Sequence, residues 1–480
     1  MKLAGSGSLG WGKKKAGSDL VYIRVLGQDT VVINSHQAAK DLLEGRSGVY
    51  SDRPHMTMAS ELIGWDDFLG MCKYGDRARA MRRLLHTTIN PKTIKDWWPQ
   101  QEKEAHKFLR KLLHSPENLL THIRHTAGAT VAKLTYGYDV KDGYDEYIDK
   151  AERTLGAFAY ASTPGRFLVD YFPLCEFESL GDPVIQYPQI GTYWDQCLIT
   201  PVKHVPWAPF KRAAAEWREQ LIDFAEAPMK FVRTQLAKGC AEPSFVSSWL
   251  DDAAEEDKPL IPWAAGSIYA GGADTTVSGI STFFIAMLHH PEIQKTAQDE
   301  IDRVIGSSRL PTFTDRDSLP YVEAIYKEVL RWQPIAPIGI PRKMASNKDD
   351  EYKGMRIPRK SHVIGNAWSM LRDPDAYQDP ESFNPSRFLG SRKENNPEEI
   401  IFGFGRRRCP GAPVAHSSVW LSIVLTLATY EIMPLKAGDG RTVLPSLDYT
   451  IGVISHPSPF QCNLKPRSEK VRKLIESTAL

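Results

Sequence analysis

The spacing of apolar residues along the chain predicts a mostly helical protein. From Ser35 to about Asp170, apolar side chains recur at i, i+3 and i+4, which is the period of an amphipathic helix. The same period returns over residues 210–240 and 285–305. In the second range, PEIQKTAQDEIDRVIG has proline at the predicted start of a helix and glycine after its end.

Strand-like patterns are fewer and shorter. Residues 20–34, LVYIRVLGQDTVVIN, contain two β-rich runs around Gly27-Gln28-Asp29, which predicts a hairpin. Beyond residue 334 the chain becomes proline-rich and irregular, with short strand candidates such as HVIGNAW, before a further helix after Cys409. The fold class that we expect is therefore mainly α with a minor β region.

One large domain over residues 20–468 is the simplest organisation. An irregular segment, 1–19, precedes it and a C-terminal tail, 469–480, follows it. Residues 172–205 have no clear period, and we interpret them as a possible insertion.

Composition and charge narrow the class of protein. The 480 residues are 42% hydrophobic and 25% charged, which is ordinary for a globular protein. With 60 basic and 58 acidic residues the net charge is +2, so no nucleic-acid partner is expected.

The N-terminal sequence MKLAGSGSLGWGKKKAGSDL has no apolar run long enough for a signal peptide or membrane anchor. The apolar stretch 260–290 carries an aspartate and several hydroxyl side chains, so we expect a buried helix there.

The cysteines lie far apart and form no CxxC pair, so we expect neither a disulfide framework nor a zinc site. Mostly buried, reduced thiols are the expectation. The six are Cys72, Cys175, Cys197, Cys240, Cys409 and Cys462.

One cysteine has unusual neighbours, because residues 402–411 read FGFGRRRCPG. A thiolate binds iron or zinc, and nearby cations lower its pKa. The positive end of a helix starting at Pro410-Gly411 also favours a thiolate, and arginines pair with carboxylates. These residues alone leave two alternatives: a bulky anionic ligand held by Cys409, or a buried cysteine beside a solvated basic turn.

The decapeptide resembles the haem-binding signature of the cytochrome P450 family, FGxGxRxCxG, at every fixed position. The resemblance implies an α-helical haem domain with small β-sheets, and haem b with Cys409 as its axial thiolate. It also implies that Arg407 meets a haem propionate. Arg406 and Arg408 are expected at the surface, either docking a reductase or serving solubility. The other positions carried over from the signature are Phe402, Gly403 and Gly411.

A second motif, GGADTT, lies at residues 271–276. Two successive glycines each cost a helix about 1 kcal/mol, and a carboxylate beside a hydroxyl suits a proton relay. A kinked helix with a capped acid is the alternative. The motif is similar to the family's oxygen-activation motif, [AG]GxDTT, which implies proton delivery by Asp274 and Thr275. Ala270 and Gly271 would then line the haem face.

A third motif joins EVLR, at residues 328–331, to FNPSRF, at 383–388. Glu328 and Arg331 share one helical face. Exposed pairs of this kind contribute little, but the surrounding sequence is apolar. The set is similar to the family's structural triad, which implies that Glu328, Arg331 and Arg387 lock the haem-binding loop. Arg342, at the end of PIGIPR, matches a position that meets a propionate.

The chain departs from the family pattern at one propionate contact. The family has WxxxR in an early helix, whereas YGDRARAMRR places Ala78 at the tryptophan position and Arg82 at the arginine position. One donor is therefore missing.

The family resemblance implies a monooxygenase that inserts one oxygen atom of O2 into an apolar small molecule. VLGQD, YSDRP, RRLLH and DTTVSG are similar to fungal members of secondary metabolism, which suggests terpenoid or indole-type substrates. NADPH–cytochrome P450 reductase would supply electrons. Family members lie on the cytosolic face of the endoplasmic reticulum membrane, and a native N-terminus without an anchor would place the chain in the cytoplasm. The pocket candidates by analogy, with core packing as the alternative, are Phe68, Leu69, Ala270, Ile338 and Ile451.

Two alternatives to this activity remain open at this stage. One is a haem-thiolate enzyme that uses peroxide, or isomerises its substrate, without a reductase. The other is a non-catalytic family member, damaged at Ala78 and by the insertion.

Overall fold

Helices dominate the chain, as the apolar period predicts. A computed structural model describes residues 18–25, 27–163, 165–170, 209–250, 252–391 and 393–478. The α-helices are α1 (His36–Ala39), α2 (Asp76–Thr88), α3 (Trp98–His114), α4 (Leu119–Tyr136), α5 (Glu146–Ala161), α6 (Pro209–Ala237), α7 (Phe245–Leu250), α8 (Ile261–His289), α9 (Pro291–Val304), α10 (Pro320–Trp332), α11 (Ala367–Met370), α12 (Glu398–Ile401), α13 (Ala412–Thr429) and α14 (Glu469–Ser477).

Short strands form small sheets beside the helices. The predicted hairpin is present, since β1 and β2 pair antiparallel and Gly27 turns the chain with φ +81°. One sheet has the order β1-β2-β6-β3, with β2 and β6 parallel, and the other pairs are β7 with β10, β4 with β5 and β8 with β9. The strands are β1 (Leu20–Val25), β2 (Gln28–Ile33), β3 (Arg342–Lys343), β4 (Asp350–Tyr352), β5 (Met355–Ile357), β6 (His362–Gly365), β7 (Tyr430–Met433), β8 (Leu435–Lys436), β9 (Thr442–Val443) and β10 (Asn463–Pro466).

The long helix α8 lies in the hydrophobic core, as its composition predicts. It packs tightly against α4, because a Cβ at Gly272 would lie 2.9 Å from Val131 Cγ2. A Cβ at Gly266 would lie 2.8 Å from the ring of Phe68. Small residues therefore let two other elements approach this helix closely.

The sequence prediction for the C-terminal segment lacked a helix. Residues 469–477 form α14, whose Val471 and Ile475 are buried in the core. The possible insertion, 172–205, lies outside the described residues. Of the described helices, α13 alone is long and apolar enough to cross a bilayer, and 67% of it is buried inside the fold.

Candidate active site

The turn that precedes Cys409 depends on glycines. The Cys409 N–H donates to the Phe402 carbonyl oxygen at 2.7 Å, which closes the turn. Gly403 and Gly405 have φ of +73° and +51°. A Cβ on Gly405 would lie 2.4 Å from the carbonyl oxygen of Leu43. Backbone conformation and close approach therefore both require glycine at position 405.

Opposing effects act on the Cys409 thiol. The side chain is solvent-accessible, yet enough protein surrounds it that burial raises the pKa of the thiol. The N–H groups of Gly411 and Ala412, together with Arg82 and Arg408, act in the opposite direction. A metal cation on the sulfur would offset the remaining cost of forming the thiolate.

Arg407 is buried and donates to three backbone carbonyls. Its Nε lies 2.7 Å from the Ser51 oxygen, and its Nη1 and Nη2 lie 3.2 and 2.6 Å from the oxygens of Leu69 and Cys72. These bonds fix the guanidinium in place. Among the described residues no carboxylate forms an ion pair with this guanidinium.

Two further predicted arginines reach the cysteine loop. Arg342 begins β3, and its Nη2 donates to the Phe404 carbonyl at 2.7 Å. Arg82, on α2, donates from Nη2 to the Arg408 carbonyl at 2.7 Å. The helix α2 and the strand β3 thus bring both side chains to one loop.

A fourth arginine, Arg53, was missed by the sequence analysis. It is 6% exposed and donates to the carbonyls of Gly70, Ile340 and Pro341 at 2.7 to 2.9 Å. It stands in the irregular stretch YSDRP, where no periodicity marks burial. An arginine flanked by proline in a loop gave no usable signal.

The four arginines form a cationic cluster, in which Arg82 is half-buried and the other three are buried. No ion pair joins Arg53, Arg82, Arg342 or Arg407 to an acid in the part of the chain that the structure describes. Burial, then the charge of Arg407, lowers the pKa of Arg342 to about 10. Burial and its neighbours hold the pKa of Arg53 well below its usual range. Unpaired buried cations are costly, so this site fits a ligand that carries carboxylates, as haem does.

The structure brings Glu328, Arg331 and Arg387 together. Arg331 donates twice to the Glu328 carboxylate, at 2.7 and 2.8 Å, and Arg387 Nε lies 3.1 Å from it. The side chains of Glu328 and Arg331 are 0% exposed and that of Arg387 is 2% exposed. Three buried charges with full hydrogen bonding suit a structural rather than a reactive role.

Polar groups of the GGADTT motif lie on the exposed part of α8. The Thr275 hydroxyl donates to the Gly271 carbonyl at 2.6 Å. A Cβ on Gly271 would meet no heavy atom within 4 Å. The Asp274 carboxylate contacts His456, with 3.1 Å from Nε2 to each oxygen. His456 was also missed, since a partner 182 residues away leaves no local pattern.

The remaining predicted positions differ in burial. Phe68 and Leu69 are buried, and the Phe68 ring centroid lies 4.6 Å from that of Trp65. Ile451 is 58% exposed, which is unlike core packing. Ala270 and Ile338 are half-buried. Ala78, at the position of the family's tryptophan, is fully buried. Arg406 and Arg408 are exposed, as expected.

The cysteine expectation is half correct in the described residues. Cys72 and Cys462 are buried, whereas Cys409 and Cys240 are exposed, the latter just beyond the end of α6. Cys175 and Cys197 lie outside the described residues.

Comparison with known proteins identifies the family. A family model of cytochrome P450 matches residues 12–464. Cytochrome P450 monooxygenase 208 of Postia placenta is 41% identical, covering 97% of this chain and 87% of that protein. Cytochrome P450 monooxygenase claR of Ampulloclitocybe clavipes is 39% identical, covering 94% and 81%. A zebrafish cytochrome P450 solved with abiraterone has a TM-score of 0.70 at 18% identity, covering 96% and 99%.

The chain therefore belongs to the cytochrome P450 family. It has the P450 fold, and it is a monooxygenase whose cofactor is haem with a cysteine thiolate as axial ligand.

Proposed function

We propose that the protein inserts one oxygen atom of dioxygen into an apolar secondary metabolite of terpenoid or indole type. NADPH–cytochrome P450 reductase supplies the electrons. The observation that carries the proposal is the arginine cluster around the Cys409 loop, in which Arg53, Arg342 and Arg407 are buried and form no ion pair among the described residues. Fungal monooxygenases at 33 to 41% identity support the metabolic setting.

In this proposal the Cys409 sulfur would bind the haem iron, and Arg82, Arg342 and Arg407 would compensate the two propionates. When bound, haem supplies the reductive activation of dioxygen, and thiolate ligation favours cleavage of the O–O bond. The remaining loop positions, Phe402, Gly403 and Gly411, shape the turn that presents the sulfur.

Asp274 and Thr275 hold the protons that cleavage of dioxygen consumes. A carboxylate and a hydroxyl on successive residues exchange protons through water within hydrogen-bond reach. Gly271, with no atom near its missing Cβ, leaves room for a flat ligand beside α8. Phe68 and Leu69 meet the same helix at Gly266 and Ser267, so they add apolar surface beside the preceding turn of α8.

The proposed partner surface lies around Arg406 and Arg408, which are exposed beside the cysteine loop. Cations there suit an acidic face on the reductase. We place the protein on the cytosolic face of the endoplasmic reticulum by family resemblance, and fractionation of expressing cells tests this.

A reconstituted assay tests the proposal. Terpenoid and indole compounds are screened for a shift of the haem absorbance, and those that bind are incubated with NADPH and reductase under labelled dioxygen. We expect a product that has gained one labelled oxygen atom. Arg406→Glu with Arg408→Glu should slow this reaction but not one driven by cumene hydroperoxide. Turnover with peroxide but none with NADPH and reductase, or an isomerised product without added oxygen, would contradict the proposal.

A further inference from the structure

A loop near the C-terminus, residues 445–456, runs antiparallel along one face of α8. On α8 the loop contacts Asp274, Ser278 and Thr282. These residues are spaced four apart, so they lie on one face of the helix on successive turns. The four contacts are His289 Nε2 to the Pro445 carbonyl at 3.0 Å, Thr282 to Tyr449 at 3.3 Å, Ser278 to the Ser455 carbonyl at 2.6 Å, and Asp274 to His456 at 3.1 Å.

The last of these contacts involves the proposed proton-delivering acid. Each Asp274 carboxylate oxygen lies 3.1 Å from His456 Nε2. When this carboxylate is ionised it can only accept a hydrogen bond, so a protonated Nε2 is then the donor. No other ion-pair partner of Asp274 occurs among the residues described by the structure.

The backbone that carries this imidazole is itself fixed. The N–H of His456 donates to the Thr450 hydroxyl at 2.9 Å, and the Thr450 N–H donates to the His456 carbonyl at 2.7 Å. The loop therefore closes on itself between the two residues. A donor on a closed loop holds a carboxylate in one orientation better than a flexible surface cation does.

We propose that His456 is a positioning residue for oxygen activation, because it fixes the orientation of the Asp274 carboxylate on α8. The inference rests on the proposed proton-delivery role of Asp274. Without His456 the carboxylate is free to rotate towards solvent or towards Thr275. Proton transfer needs hydrogen-bond reach, and a misplacement of about 1 Å can cost about a hundredfold in rate.

The balance of dioxygen reduction gives a readout that needs no substrate. Four electrons and four protons convert O2 to two H2O, whereas two electrons and two protons convert it to H2O2. Delivery of protons to the distal oxygen favours water. The full-length haem protein is therefore supplied with NADPH and reductase without added substrate, and the fraction of NADPH electrons recovered as H2O2 is measured.

We expect His456→Phe to raise the ratio of H2O2 to water about tenfold. His456→Gln, whose side-chain amide donates at a similar reach, should stay within about twofold of the native protein. Tyr449→Phe is the matched control, since it removes a neighbouring contact between the same loop and α8 but leaves Asp274 untouched. It should leave the ratio unchanged. Should His456→Phe fail to fold, His456→Ala carries the same prediction.

Asp274→Asn separates this inference from the function on which it rests. If Asp274→Asn raises the ratio and His456→Phe does not, the inference is wrong and the role of Asp274 stands. If Asp274→Asn has no effect, both fall. An equal rise in Tyr449→Phe would also overturn the inference, because general anchoring of the loop would explain it. The double variant of Asp274 and His456 should be no worse than Asp274→Asn alone.

Hydrogen exchange gives an independent readout of the contact itself. His456→Phe and Asp274→Ala, each of which removes one partner of the contact, should both speed exchange of backbone amides in residues 449–457. Unchanged exchange in both variants would contradict the contact.

Discussion

Replacing Glu328 by glutamine removes the only carboxylate that Arg331 contacts among the described residues. The substitution keeps the shape of the side chain, but its amide nitrogen now faces guanidinium donors. Glu328 also accepts from Arg387 at 3.1 Å and from the N–H of Asn384 at 2.7 Å. One neutralised group therefore disturbs two buried cations and a backbone contact.

The size of the effect follows from the burial of these charges. Breaking a fully buried ion pair by removing one partner costs about 3–5 kcal/mol, because the remaining charge stays desolvated. Arg387 keeps a second acid, Glu394, at 2.7 Å, and Arg331 keeps three carbonyl acceptors. We therefore expect the lower end, about 3 kcal/mol, out of a total stability of roughly 5–15 kcal/mol.

Urea unfolding followed by far-ultraviolet circular dichroism measures this loss. Asp299→Asn on α9 is the control, because its carboxylate pairs with Lys295 at a surface where the two side chains are 59% and 68% exposed. Such a pair contributes at most about 1 kcal/mol. A loss below about 1 kcal/mol for Glu328→Gln would refute the reasoning, since the two arginines would then not depend on its charge.

Further predictions concern the loop, the arginine cluster and acid stability. Gly405→Ala should destabilise the protein by at least about 2 kcal/mol in urea unfolding and lower its haem content, because its φ is +51° and the Cβ meets Leu43. Arg342→Leu should speed haem transfer to apomyoglobin about tenfold through loss of a charge-assisted bond; an unchanged rate would contradict a propionate role. Burial opposes ionisation of Glu323, but His416, Arg316 and Lys327 outweigh it and lower its pKa to about 2. Its stabilisation is therefore full above the unfolded pKa and lost as the pH falls towards about 2, so Glu323→Gln should flatten the acid limb of unfolding monitored by circular dichroism.

Helices with local signals were predictable from the sequence. PEIQKTAQDEIDRVIG carries its own start and stop residues, and α9 spans Pro291–Val304 as expected. The apolar stretch 260–290 corresponds to α8, Ile261–His289. Periodicity and capping act over a few residues, so a single sequence contains them. The helix α14 was missed because the segment after residue 468 is short and highly charged.

The chemistry of the site was only partly predictable. A contiguous motif made Cys409 and Arg407 candidates. The three carbonyl oxygens that accept hydrogen bonds from buried Arg407 lie in other parts of the chain, and no sequence pattern marks them. Arg53 and His456 were missed because each stands in an irregular loop and meets partners far along the chain. Such contacts depend on how the loops fold back onto the rest of the chain, and loops carry no repeating pattern of apolar residues from which this could be predicted.

The central claim is that Cys409 is the thiolate ligand of the haem iron. Absorbance of the purified, dithionite-reduced protein before and after carbon monoxide tests it most directly, with Cys409→Ala as the paired variant. We predict a strongly red-shifted Soret band in the native protein and its loss in Cys409→Ala. A native spectrum typical of a neutral proximal ligand, or a red-shifted band that survives in Cys409→Ala, would contradict the account.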